Sequence, residues 1–162
     1  MRSMRYKEQR KKKFGGIMQP QALKKLSGLL ANTYTVAVMT QNVHWHIQGS
    51  CFYAIHTMTD KQYRELLEAV DMIAEHIRSH GGMAPACMEE FIAQRTVSEP
   101  ATGLQNSDDF VQHLIDGHLE LREHLLGIYA VCSDPATTDM LDERLRAHDV
   151  MIWMLRSSLS HL

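Results

Sequence analysis

Residues His44–Gly82 read HWHIQGSCFYAIHTMTDKQYRELLEAVDMIAEHIRSHGG, and this stretch decides the architecture. After the break at Gly49, the segment from about Phe52 to His80 has no proline and no internal glycine, so a single long helix is expected. Ile55, Leu66, Leu67, Val70, Ile73, Ala74 and Ile77 recur at threes and fours, the spacing of one helical face. His56 and Asp60 are four apart, as are Asp71 and Glu75, so each pair stacks on one side of that helix. Imidazole plus carboxylate, with no cysteine in the set, suits a divalent metal such as iron, zinc, cobalt or manganese.

Geometry limits how the pairs are used. At about 1.5 Å rise per residue, Asp60 and Asp71 lie roughly 16 Å apart along the axis, and His56 and Glu75 roughly 30 Å. Metal–ligand bonds are only about 2 Å long, so one ion cannot bridge both pairs of one helix. Yet both pairs fall within one arc of roughly 100°. Either each pair finds its own partners within the chain, or two copies of the helix run antiparallel across a two-fold axis. In the second case His56 and Asp60 of one copy face Asp71 and Glu75 of the other, giving two equivalent sites per dimer. We expect the second arrangement.

At these residues the chain resembles the Dps family, DNA-binding proteins from starved cells, or mini-ferritins. The resemblance rests on His44-Trp45, then Gly49, Phe52, His56 and Asp60, then Asp71, Ala74, Glu75, Gly81 and Gly82, all at the family's intervals. Trp153-Met154-Leu155-Arg156 resembles the family's closing helix, so the likeness covers about residues 20 to 160. His76 is a departure, because the family usually carries arginine there. The resemblance implies an iron site of His44, His56, Asp60, Asp71 and Glu75 shared between two subunits. It also implies Fe(II) oxidation, with hydrogen peroxide as oxidant, and storage of Fe(III) in a hollow shell of twelve subunits built from two-fold dimers. Trp45 would stand beside the site and quench stray oxidising equivalents. Acidic pores would admit iron, with Asp139, Asp142 and Glu143 as candidates; acids near a helix N-terminus are also favourable for purely local reasons.

The rest of the chain fits one all-α domain. A length of 162 residues bounds it to a single core, and 44% hydrophobic content is ordinary for a globular protein. No apolar run reaches 18 residues, so no membrane span or secretory segment is expected. Cys51, Cys87 and Cys132 are odd in number and widely spaced, which fits a reducing compartment, the bacterial cytoplasm, near the nucleoid if the resemblance holds. The first helix is expected from Pro20 to about Ile47. A crossover from Gly81 to Ser107 carries a short helix near Cys87–Gln94, a third long helix spans about Asp108 to Cys132, and a fourth about Ala136 to Ser160. Phe110, Leu114, Leu121, Leu125, Ile128 and Cys132 are the expected inner stripe of the third, and Met140, Leu145, Ile152, Leu155 and Leu159 of the fourth. Four long helices with one long connection between the second and third make a ferritin-like four-helix bundle over residues 17–162. No Glu-x-x-His occurs, so a di-iron centre inside one bundle lacks its ligands. His46, about 200° from His44 on its helix, is expected to be a bystander.

Charge is uneven. Residues 1–16 hold seven Lys/Arg (Arg2, Arg5, Lys7, Arg10, Lys11, Lys12, Lys13) against one Glu, and the remainder ten against eighteen acids. Such a basic run reads as a disordered arm and, with the resemblance, as a non-specific DNA-binding tail acting on phosphates. The competing function is a nucleoid-packing protein whose metal sites are weak, zinc-occupied or vestigial.

Overall fold

The computed structural model describes residues 18–99 and 106–159; the basic arm lies outside the described residues. Five helices form among them: α1 (Pro20–His46), α2 (Phe52–Ser79), α3 (Met88–Gln94), α4 (Ser107–Tyr129) and α5 (Pro135–Arg156), with no strand. Three of the starts, those of α1, α4 and α5, follow from local chemistry. Pro20 and Pro135 sit in first turns, where a missing N–H costs nothing. The Asn106 side chain accepts from the Asp109 N–H at 2.9 Å, and the Asp134 carboxylate from the Thr137 N–H at 2.9 Å, each satisfying an orphan donor. The α2 end is a glycine cap: Gly81, at φ +82°, lets its own N–H reach the Arg78 carbonyl and the Gly82 N–H reach the Ile77 carbonyl.

Packing places α1 at the centre. It lies along α2 and α4 and against α3, while α4 lies along α5; α2 and α5 touch only briefly. Leu26, Leu29, Leu30, Val36, Ala37, Met39 and Val43 of α1 are buried, as are Ile55, Leu66, Ile73 and Ile77 of α2. Burying α1 on several sides also buries its threonines, so Thr33, Thr35 and Thr40 donate to the carbonyls four residues back at 2.7–2.8 Å. Asn32 ties down the crossover: its Oδ1 accepts from the Thr96 and Val97 N–H groups at 2.7 and 3.1 Å. This is the ferritin-like four-helix bundle with a short extra helix in its long connection.

Several sequence expectations shift. Leu67 is 40% exposed, because one helical face cannot hold both it and the fully buried Leu66, about 100° away. Phe110, Leu145 and Leu159 are only partly buried. The α4 helix stops at Tyr129 rather than Cys132, where the Val131 and Cys132 N–H groups both turn back to the Ile128 carbonyl. The α5 helix stops at Arg156 rather than Ser160. Among the described residues no helix is long and apolar enough to cross a membrane.

Candidate metal centre

The link between α1 and α2 brings His44 and His56 together. Ile47 closes α1 by returning its N–H to the Val43 carbonyl, Gly49 turns at φ +89°, and the Phe52 N–H reaches the Gly49 carbonyl at 3.1 Å. Buried Val43 and Ile55 anchor the two helix ends beside the histidines. The two imidazoles then lock each other. The His44 Nδ1–H donates to the His56 carbonyl at 2.9 Å, and the His56 Nδ1–H to the His44 carbonyl at 2.8 Å, with the rings stacked 3.8 Å apart. Since a carbonyl only accepts, both Nδ1 atoms carry the proton, so in the neutral ring it is the Nε2 lone pair that is left for a metal. Phe52 stacks on His56 at 4.9 Å and fixes the ring plane.

Asp60 lies one turn further along α2. Both its oxygens accept from Arg64, at 3.1 Å each, and this hydrogen bonding holds its carboxyl below the usual carboxylate range. Asp71 and Glu75 are exposed on the same uninterrupted helix, without an ion-pair partner among the described residues. The fold therefore brings His44 and His56 into contact, with Asp60 one turn further along α2, and leaves Asp71 and Glu75 farther along the same helix. The donor chemistry suits iron: two neutral imidazoles, then carboxylates.

The other candidates separate. Trp45 is 67% exposed, turned outward from the helix pair. His46 bonds to the Asn42 carbonyl and stacks on Phe110, away from the half-site. Asp139 and Glu143 line one groove with Glu75 and His76. Asp142 does not join them, because it accepts a short hydrogen bond from Tyr129. That bond and burial push the Tyr129 hydroxyl up to about 12, burial being the larger cause.

Two further clusters are assembled only by the fold. His76, His80 and Asp134 meet where α2 ends and α5 begins. The His76–His80 spacing was visible, but Asp134 joins only through tertiary contact. Burial, then the neighbouring His80, holds His76 below the ordinary histidine value. The second cluster is inside the bundle: His118 and His148 are buried with their Nδ1 atoms 2.8 Å apart, beside the Arg144–Glu65 ion pair. The Nε2 of each ring has no partner among the described residues. Burial first, and Arg144 after it, pushes His118 down to about 3; burial, His118 and Arg144 push His148 the same way. Ferritin-like di-iron centres put carboxylates in this interior. Here the Arg144 guanidinium takes up the one carboxylate, Glu65, beside the two imidazoles, so no acidic cage is left for a cation.

The chain is similar to known proteins in both sequence and fold. The ferritin-like domain family matches residues 23–162. A DNA protection during starvation protein of Listeria innocua is 31% identical over 139 residues, 83% of this chain and 88% of that one. An uncharacterised low-temperature-induced protein of Nostoc is 32% identical over 132 residues, 79% of this chain and 74% of the relative. Dps from Listeria monocytogenes superposes with a TM-score of 0.79 at 25% identity, covering 84% of this chain and 91% of that one. DpsC from Streptomyces coelicolor superposes at 0.84 over 92% and 91% of the two chains; at 24% identity it speaks for the fold alone. The fold and these matches define a ferritin-like protein. Within that class, the chain belongs to the Dps family.

The buried histidine pair gives stability a pH dependence. Both groups are held below their unfolded value of about 6.5, so below that pH the unfolded chain binds more protons. Their contribution is complete above about pH 6.5 and is lost as pH falls through the lowered folded-state values, about 3 for His118. Urea unfolding of His118→Gln/His148→Gln between pH 6.5 and 4 should show a correspondingly flatter dependence than the parent. An unchanged slope would contradict the assignment.

Proposed function

We propose that the chain is a Dps-type ferroxidase and iron store, oxidising Fe(II) with hydrogen peroxide at sites completed by a second copy of itself. The observation that carries the reading is the reciprocal His44–His56 lock beside Asp60. It presents two metal-ready nitrogens and a carboxylate, with two unpaired acids far along the same helix. Across a two-fold axis, Asp71 and Glu75 of the second copy supply the missing oxygens. Exposed Trp45, Phe52 and Tyr53, the last 79% exposed, surround the half-site and suit burial against another subunit.

The chain's own groups have defined tasks. His44 and His56 bind ferrous ion through neutral Nε2, and their carbonyl bonds keep that tautomer. Asp60 exchanges Arg64 for the metal, a divalent charge displacing a monovalent one. Two ferrous ions give one electron each to peroxide, whose O–O bond breaks; two protons complete two waters, and no hydroxyl radical is released. Trp45 intercepts stray oxidising equivalents. Glu75, Asp139 and Glu143, around their common groove, draw iron inward toward a hollow shell of twelve subunits. The basic arm, residues Arg2 to Lys13, binds DNA phosphates without base readout, keeping the store at the nucleoid in the cytoplasm.

Replacing His56 and Asp60 together by alanine should abolish rapid peroxide-dependent Fe(II) oxidation, followed by ultraviolet absorbance after anaerobic loading, while the assembly keeps its size. Undiminished oxidation would reject the site. Separately, removing residues 1–16 should eliminate DNA retardation in gels at about 50 mM salt without changing iron oxidation. A full-length protein that never retards DNA there would refute the role of the arm.

A further inference from the structure

We propose that His76, His80 and Asp134 form a second metal site, contained within one subunit, for a divalent transition-metal ion. One ligating atom from each residue lies within 4.8 Å of the others. A tetrahedral ion with bonds of about 2.0–2.1 Å holds its donors roughly 3.4 Å apart. Binding an ion therefore requires the three donors to draw together.

The hydrogen bonds around the cluster prepare it. The His80 Nδ1–H donates to the His76 carbonyl at 3.0 Å, so its Nε2 keeps the lone pair. That Nε2 stands 3.6 Å from Asp134 Oδ2, too long for a good hydrogen bond but close to the edge of a coordination polyhedron. On the other side, the Thr137 hydroxyl donates to Asp134 Oδ2 at 2.9 Å. With its proton spent there, Thr137 Oγ1 accepts from the His76 Nε2–H at 2.8 Å, which leaves His76 Nδ1 unprotonated. Such outer bonds fix tautomer and orientation in metal sites. His80 also caps the C-terminus of α2, whose carbonyl ends favour a cation.

Two imidazoles and one carboxylate leave coordination positions open and suit Fe(II), Co(II) or Zn(II). The cluster adjoins the groove of Glu75, Asp139 and Glu143, so an ion held there stands beside the path proposed for iron. It needs no second copy, which separates it from the shared site.

Cobalt absorption tests it. In the His56→Ala/Asp60→Ala background, iron-free protein titrated with Co(II) should still develop a saturable visible band at one equivalent per subunit. Adding His80→Gln should weaken that binding more than about 100-fold, since even the outer partners of a ligand are worth about 10–100-fold. Adding Asp134→Asn instead should weaken it too, while Asn still caps α5; circular dichroism and gel filtration check fold and assembly. Absence of the band in the background protein, or unchanged affinity in either added variant, would overturn the proposal.

Discussion

An uninterrupted helix of 28 residues cannot fold its two ends onto one ion, and that rigidity governs the rest of the molecule. Asp71 and Glu75 stay on their own stretch of α2, exposed and without ion-pair partners among the described residues. The half-site at the other end stays short of ligands. Carboxylates kept unneutralised cost stability through repulsion and give nothing back in an isolated subunit. In the proposed dimer they would become useful, where a second helix would run past in the opposite direction. The exposed aromatic rim of Trp45, Phe52 and Tyr53 falls at the same end of α2.

Inside the bundle the opposite logic holds. The buried face of α2 and the central position of α1 leave no acidic cage in the interior. The ionisable groups buried there are Arg144, paired with half-buried Glu65, and the His118–His148 pair, whose rings burial holds toward neutrality. A ferritin-like bundle can put its metal in its core or at its margin. This chain has placed a guanidinium in the core and its stacked His44–His56 pair at the margin, half-buried beside the α1–α2 turn.

Periodicity, proline placement and caps made the helices legible in the sequence, and Asn106, Pro20 and the Gly81–Gly82 pair fall where their chemistry requires. Local spacing likewise revealed the His56–Asp60 and Asp71–Glu75 pairs. Tertiary features were hidden. No pattern in the sequence shows that His44 and His56 trade hydrogen bonds with each other's carbonyls, although the i,i+4 spacing of Asp60 and Arg64 does allow their ion pair to be read. Asp142 reads like Asp139 and Glu143 until Tyr129 captures it. Leu66 and Leu67 read alike, and only packing decides which is buried. Asp134 looks like a helix cap alone until its carboxylate is seen beside His80.

The central claim, that each iron site takes ligands from two copies, is tested most directly by mixing two crippled subunits. His56→Ala/Asp60→Ala and Asp71→Ala/Glu75→Ala proteins, each inactive alone, are unfolded together in equal amounts and reassembled. With random two-fold pairing, half the dimers are mixed and each holds one intact site of two, so about a quarter of the parent's ferrous oxidation rate should return. If the mixture is no more active than the separate variants, both halves of the site belong to one chain, and the account is wrong.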